Sequence, residues 1–331
     1  MNLISLDQSH KDLLNNYVRN NPHGSLYQTF EWGEFQKEAG FKVWRLGVLG
    51  EQKLCSAATV LKYDMPGNKW YLYSPRLIMS NDQLEMPNAK MFAKIADIAR
   101  QEGCIFFRFD PLVIKKDWQS FGEVPALKEI QPRDTVMVDL AKTEEEILKN
   151  MKSKWRYNVR LSKRKGVKIR QSTDEKDLDK FYDIARVTAE RDKFHIHEEK
   201  YYRALLKNLG PPGYVKLFVA EYEGKVLAVN IVSFYKDTAT YMHGASSNEH
   251  RNLMAPHLLQ WEAMRAAKNT GLIKYDLYGV APADEPDHHW AGISRFKLGF
   301  GGERVRYVGA FDLVYSKFWY SMVKMMMKIK K

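Results

Sequence analysis

Cysteine is almost missing from this chain. Cys55 and Cys104 are the two thiols in 331 residues, and neither stands in a CxxC or other metal-type spacing. That argues against a disulfide scaffold; two lone thiols suit a reducing cytoplasm and a place in the core. The histidine pairs His195/His197 and His288/His289 lack the carboxylate or cysteine set that would complete a ligand spacing, so no metal is expected. No apolar run approaches the ~20 residues needed to span a bilayer. The opening stretch MNLISLDQSHKDLLNNY has polar residues at every turn and no signal-peptide core. The expectation is a cytoplasmic protein, soluble or held peripherally at the cytoplasmic face of the membrane. Low-complexity segments and long heptad arms are missing too. Acidic charge is in short supply: 40 Asp and Glu face 52 Lys and Arg, a formal charge of +12. Such a surplus favours an anionic partner, whether nucleic acid, a nucleotide-linked substrate or a membrane surface.

What the chain does have is apolar and aromatic content of 45% and 13%, enough for a folded globular protein. Its length suits two domains of about 150 residues each. The two halves repeat one pattern, with corresponding segments about 170 residues apart. IADIARQEGCIFFRFDP (95–111) and AMRAAKNTGLIKYDLYG (263–279) each read as amphipathic helix, glycine stop and aromatic-rich strand. Gly103 and Gly271 fall just past the helix, where a left-handed residue closes the last turn. Upstream, VWRLGVLGEQKLCSAATVLKY resembles VKLFVAEYEGKVLAVNIVSFY, two strands around a polar turn. The further strands KWYLYSP and ATYMHGAS follow, and each half opens on a helix carrying KDL. The order predicts an α/β (α+β) chain with mixed, mostly antiparallel sheets, and it resembles the GCN5-related acyltransferase fold written twice. The polar stretch near 141–152 marks the join. The first domain is expected over 1–145 plus 313–331 and the second over 146–312. The tail carries Phe318, Met322, Met325 and Met326 with Lys317, Lys324 and Lys328 elsewhere on the helix. Docking on the first domain is the favoured reading of that stripe, and a membrane surface the other.

SRFKLGFGG (294–302) is glycine-rich, yet a phosphate cradle should follow a strand and open a helix. Here Ile293, Phe296 and Phe300 recur at helical spacing and a strand follows, so Gly301 and Gly302 read as a C-cap and Lys297 is left on a short helix. In RNLMAP (251–256), Met254 and Pro256 stand where acyl-coenzyme A enzymes of this fold have small residues whose amides hold the pyrophosphate. Proline has no N–H to offer, which disfavours an acyl-coenzyme A donor. From Lys152 to Arg170 there are nine basic residues and no acidic one, with Trp155 and Tyr157 interleaved. Lys152, Arg156, Arg160 and Lys163 share a helix side, a stripe suited to an RNA backbone, anionic lipid or a substrate pyrophosphate.

Taken in order, YQTFEWGEFQK (27–37), YSPR (73–76), FRFDP (107–111), KSKWRYNVRLSKRKGV (152–167), VTAERD (187–192) and GISRFKLGFGGERVRYVGAFD (292–312) resemble the Fem-type peptidoglycan bridge-forming aminoacyltransferases, in the short form without a coiled-coil arm. The resemblance implies two tandem acyltransferase-like domains, the first completed by the C-terminal segment and facing the muropeptide precursor, the second facing aminoacyl-tRNA. It implies transfer of an amino acid from aminoacyl-tRNA to the stem-peptide amine of lipid II or UDP-MurNAc-pentapeptide by a monomer without cofactor. The aminoacyl ester is already activated, so an oxyanion stabiliser and a neutral amine are the remaining demands. An amine with a pKa of ~10.4 is neutral in about one molecule in a few thousand at pH 7.

By position, the resemblance assigns Lys297, beside Phe296, to holding the RNA end and stabilising developing negative charge. Read alone, it is a lysine favourably placed at a helix C-terminus. It assigns Asp110 to orienting the incoming amine; read alone, that aspartate caps the turn at Pro111. Muropeptide contacts are implied for Lys37, His197, Tyr201 and His243, with Arg76 helping at the same cleft and Trp32 packed beneath. His197 and His243 stand where a short relative has arginine and tyrosine, and imidazole lacks arginine's charged fork, so a lipid-linked precursor gains on a UDP-linked one. Lys152, Lys154, Arg156, Arg160, Lys163 and Arg164 become the candidate tRNA contacts. Two rivals remain at this point: an acyl-coenzyme A-dependent N-acyltransferase of the same fold, and a non-catalytic RNA- or membrane-binding module.

Overall fold

The computed structural model of the chain describes residues 1–51, 53–79, 86–114, 117–118, 120–172, 174–192 and 195–329. The chain starts with β1 (Asn2–Ser5), α1 (Lys11–Asn20) and α2 (Phe30–Glu38). Helix α2 begins where Thr29 Oγ1 accepts the Trp32 N–H, meeting one of the helix's unpaired amides. Then β2 (Lys42–Leu49), β3 (Leu54–Met65) and β4 (Lys69–Pro75) form an antiparallel meander. Helix α3 (Met86–Gln101) crosses over and returns the chain as β5 (Cys104–Asp110), parallel to β4, before the short β6 (Val124–Pro125).

The second half repeats the plan. It runs β7 (Asp134–Asp139), α4 (Glu144–Asn150), α5 (Ser153–Arg164), β8 (Lys168–Ser172), α6 (Glu175–Asp192) and α7 (Glu199–Leu209). The antiparallel strands β9 (Val215–Tyr222), β10 (Lys225–Tyr235) and β11 (Thr238–Ser246) follow. Helix α8 (Ala255–Asn269) then returns β12 (Lys274–Asp276) parallel to β11, and α9 (Ala291–Leu298) leads into β13 (Glu303–Arg306). Finally β14 (Phe311–Val314) rejoins the first sheet and α10 (Lys317–Ile329) follows it. Strand order is β1-β2-β3-β4-β5-β14-β6 in one sheet and β13-β7-β12-β11-β10-β9-β8 in the other. Both are mixed and mostly antiparallel, as expected. Gly103 and Gly271 close α3 and α8 with φ of 66° and 85°, the left-handed geometry foreseen for them. The longest helix among the described residues, α6, has 18 residues, and no long helical arm occurs among them.

The chain divides into a first unit, Met1–Arg133 with the segment from Arg306 onward, and a second, Asp134–Val305. These joins fall earlier than those expected at 145 and 312. β7 pairs with β12, which carries residues from 134 onward into the second sheet. Tyr307 donates its N–H to Arg133 and bridges Ile114, which ties the return segment to the first unit before β14 begins.

Strand β5, CIFFRFD, is buried at every position, as befits a central strand covered on both faces. Its one cation, Arg108, makes a two-pronged ion pair across β14, with Nε to Asp312 Oδ1 at 2.7 Å and Nη2 to Oδ2 at 2.8 Å. Tyr320 of α10 donates to the same carboxylate at 2.8 Å. Tyr320 and Val323 pack against Ile105 and Phe106, so the tail docks on its own unit. The docking face is not the stripe read from the sequence, since Phe318, Met325 and Met326 are exposed. The difference follows from Asp312, which draws a tyrosine inward and turns the methionines out.

Replacing Asp312 by alanine strands a buried guanidinium. The expected loss is about 3–5 kcal/mol in urea unfolding, with Arg108→Met/Asp312→Leu together losing less than Asp312→Ala alone.

Candidate active site

In the first unit the parallel pair β4 and β5 sets Pro75 opposite Asp110, the last residue of its strand. Asp110 is 1% exposed. Its Oδ1 accepts the backbone N–H of Arg76 at 2.8 Å, and the Tyr73 hydroxyl donates to both oxygens at 3.1 and 3.0 Å. Arg76 holds φ of 48°, an uncommon conformation for a residue with a side chain and one that functional sites often retain. Burial pushes the Asp110 carboxyl up to about 6, against the opposing pull of the Arg76 charge, the Arg76 N–H and the Tyr73 hydroxyl. Asp110 is therefore a carboxylate at neutral pH that accepts a proton readily just below it.

Arg76 itself was expected as a substrate contact. Its side chain instead is buried, donates to Pro132 O at 2.9 Å and lies 5.3 Å from the Tyr307 ring centre. Its charge acts on Asp110 from within the first unit. Trp32 belongs to the core, 4.4 Å from Tyr27 and 5.0 Å from Phe35. Lys37 is exposed in the last turn of α2 and pairs with Glu34 at 2.9 Å, a surface contact that leaves it accessible.

In the second unit α9 presents an unexpected face to the protein. Ile293 is exposed and Phe296 half-buried, whereas Ser294 and Lys297 are buried. The polar side of the helix turns inward because the 279–281 segment supplies partners for it. Ala281 donates its N–H to Ser294 Oγ at 2.7 Å, and Lys297 Nζ donates to Gly279 O at 2.8 Å. Lys297 is 7% exposed, with Nζ 5.6 Å from the Tyr241 ring centre. Burial pulls the amine down to about 8, and the Asp276 charge works in the other direction. A desolvated ammonium of this kind is a strong donor toward developing negative charge. Gly299 and Gly301 fix the turn beyond: a Cβ on Gly299 would lie 2.0 Å from the Trp155 ring, and Gly301 has φ of 81°. The helix does end in glycine, but at Gly299, two residues sooner than the cap at Gly301 and Gly302 read from the sequence.

His197, Tyr201 and His243 do come together. The His197 and Tyr201 rings stack at 3.7 Å, and His243 stands edge-on to both at 6.1 Å. Burial, with His197 a smaller cause, pushes His243 down to about 3, so it is neutral at physiological pH. Phe296 packs on His257 and Phe300, and its carbonyl accepts the Trp155 indole N–H at 2.9 Å. Trp155 is thus a brace for α9 rather than an aromatic free for RNA. On α5 the side chains of Lys152, Lys154, Arg160, Lys163 and Arg164 are exposed, as is Tyr157, while Arg156 turns back to the carbonyls of Lys149 and Met151 at the end of α4. Arg170 is fixed to Asp177 and Glu221. At the start of α8, Met254 takes φ of 55°, Pro256 in the first turn has no N–H to offer a pyrophosphate, and the His257 N–H already donates to Met254 O at 2.9 Å.

Comparison with known proteins bears on all of this. The FemAB family profile matches residues 10–126, 116–225 and 213–328. The chain belongs to the FemAB family. A lipid II:glycine glycyltransferase of Staphylococcus aureus (strain MRSA252) is 23% identical, over 93% of this chain and 92% of the relative. The crystal structure of FemX superposes with a TM-score of 0.85 at 21% identity, covering 98% of this chain and 100% of that one. A tandem GNAT protein from the clavulanic acid biosynthesis pathway gives 0.56 at 12% identity, covering 95% and 98%. The fold is two tandem GNAT-like domains, and this FemAB chain is an aminoacyltransferase.

Sequence reading had missed Tyr73, Tyr241, Ser294 and Asp276. Tyr73 stood inside the YSPR motif, two residues from the end of a strand parallel to the one bearing Asp110, and that was its one signal. Asp276 accepts the Tyr278 N–H at 2.7 Å and a hydrogen bond from the Thr135 hydroxyl, contacts that no local pattern announces.

The lysine carries a linkage signature. Between pH 8, near its folded value, and 10.5, its ordinary value, the unfolded chain binds one more proton than the folded one. Stability of the wild type relative to Lys297→Met should be flat below pH 8 and rise above it by about 1.4 kcal/mol per pH unit, read from urea unfolding at each pH.

Proposed function

We propose that this enzyme moves an amino acid from aminoacyl-tRNA to the stem-peptide side-chain amine of lipid II, at the cytoplasmic face of the membrane. The observation that carries the proposal is Lys297, a buried ammonium with one carbonyl partner on a braced helix, in a chain whose relatives include lipid II:glycine glycyltransferases. The reaction needs no energy input beyond the ester. The acceptor amine, once neutral, attacks the aminoacyl carbonyl; the C–N bond forms, the C–O bond to the terminal ribose breaks, and the ribose oxygen takes up the proton. Lys297 stabilises the oxyanion that forms between these events. Asp110 accepts a hydrogen bond from the attacking nitrogen and orients it, its raised pKa making it a better proton acceptor than an ordinary carboxylate.

The first unit is assigned to the precursor and the second to the charged RNA. The stacked His197 and Tyr201 and the neutral His243 stand in the second unit and suit sugar or peptide contacts, so that unit is assigned part of the precursor as well; the lipid-linked form is favoured by the relatives named lipid II:glycine glycyltransferases. Lys37 supplies an accessible cation on the first unit. The exposed charges of α5, from Lys152 to Arg164, follow the acceptor end of the tRNA.

The decisive experiment is transfer of labelled amino acid from a panel of charged tRNAs to lipid II and to UDP-muropeptide. Transfer to neither acceptor would overturn the reading. Lys297→Met should lower the rate by ~10²–10³-fold. Activity of the wild type should fall below about pH 6 as Asp110 protonates and above about pH 8 as Lys297 loses its proton, with the alkaline fall missing from the residual activity of Lys297→Met. Replacing Lys154, Arg160, Lys163 and Arg164 by glutamine should weaken charged-tRNA binding uniformly across sequences, and each lost contact should lower the slope of log K against log salt by about 1.

A further inference from the structure

Helix α10 has a second face that the fold does not use. Tyr320 and Val323 hold it to Ile105 and Phe106, but Phe318 is 67% exposed, Met325 51%, Met326 43% and Trp319 41%. At about 100° per residue, Phe318, Met322, Met325 and Met326 share an arc of roughly a quarter of the helix, with Trp319 on its border. Single exposed apolar side chains are ordinary on a protein surface; four on one side of a docked helix, with the half-buried Met322 among them, are a contiguous patch. Lysines stand on both sides of it. Lys317 and Lys324 lie on the solvent side away from Trp319, and Lys69 of β4 places Nζ 3.9 Å from the Trp319 ring centre on the other. From 317 to 331 the sequence has five lysines and no acidic residue.

We propose that this outer face of α10 docks the protein on a bilayer containing anionic phospholipid, with Phe318, Trp319, Met322, Met325 and Met326 entering the headgroup–acyl boundary and the lysines meeting the headgroups. The choice of a bilayer rests on the reading of a lipid-linked acceptor, and the charge pattern supports it independently. A second copy meeting the same face would set lysine against lysine without an acid to balance them. An amphipathic helix with a wide apolar arc, a tryptophan at its border and a purely cationic polar side has the composition that lies in a membrane interface. Unbranched methionines adapt to a fluid partner at little packing cost. Tyr320 and Val323 fix the helix to the domain, so docking would present the first unit in one orientation instead of tethering it loosely.

The test is flotation of the intact protein with vesicles of phosphatidylcholine alone or mixed with phosphatidylglycerol, at rising salt. The wild type should float with the anionic vesicles, and the bound fraction should fall with salt. Phe318→Ser/Met325→Ser should lower the partition coefficient by more than about tenfold. The same variant should keep the wild-type thermal midpoint and its transfer to a UDP-linked or detergent-dispersed acceptor, since neither residue belongs to the core or the site. Failure of the wild type to float, flotation of the variant equal to wild type, or a wild-type dimer that the variant abolishes would each overturn the proposal. A lower midpoint in the variant would do so too, by showing that the face is packed on protein. Flotation without transfer to any acceptor would overturn the functional reading and leave the lipid contact standing.

Discussion

Keeping two ionisable side chains out of water is the constraint on which the rest of the site depends. A lone ammonium or carboxylate in a protein interior is costly unless fixed dipoles replace the lost hydration. Lys297 has a single carbonyl in that role, from Gly279, and Asp110 has a backbone amide and a tyrosine hydroxyl. Both sets are incomplete relative to bulk water, so both groups titrate closer to neutrality than they would in solution. Partial replacement leaves each group with unused hydrogen-bonding capacity. A fully neutralised lysine has nothing left to offer an oxyanion, and a fully satisfied aspartate has no lone pair for an amine. The braces around each group act by fixing the dipoles: Trp155 against Gly299 holds α9, and the left-handed backbone at Arg76 accompanies the amide that meets Asp110.

The two units use related devices. In each, helix and glycine return a strand parallel to its neighbour, and in each an aspartate accepts an N–H from a residue with positive φ, Arg76 for Asp110 and Tyr278 for Asp276. The carboxylates do not occupy equivalent places. Aligning Gly103 with Gly271 puts Asp276 opposite Arg108, the cation that holds the returning strand β14. The repeat therefore keeps the way a polar group is seated at a strand end while its setting differs: a buried acid raised toward neutrality in one unit, and in the other an acid whose field favours the charged form of Lys297.

Much of the fold was legible because its signals are local. Apolar alternation, the two glycine stops and the repetition of helix, hairpin, strand and crossover require nothing beyond neighbouring residues. The unit joins were misplaced because β7 belongs to whichever sheet it pairs with, and pairing is non-local. At the site, the motif around Lys297 located the helix but misassigned its faces. Periodicity selects the most apolar side as the buried one, whereas α9 buries Ser294 and Lys297 because the 279–281 backbone offers them hydrogen-bond partners. The same limit applied to Arg76 and Trp155. Each is a residue type that recognises phosphate or bases when exposed, and each is committed internally by a contact from a distant segment.

The tail repeats that lesson with the opposite sign. Its apolar stripe was assigned to the core by the usual rule, yet the residues that reach the core are Tyr320 and Val323, one of them drawn in by the Asp312 carboxylate. A hydrogen bond worth little by itself selects which side of α10 faces the sheet, because rotation of the helix would leave Asp312 short of a donor beside a buried guanidinium. Since Asp312 also clamps β14 to β5, the ion pair that completes the first sheet determines as well which apolar side chains the protein turns outward. The outward face is in that sense a consequence of the core, and a change at Arg108 or Asp312 would alter the surface without touching it.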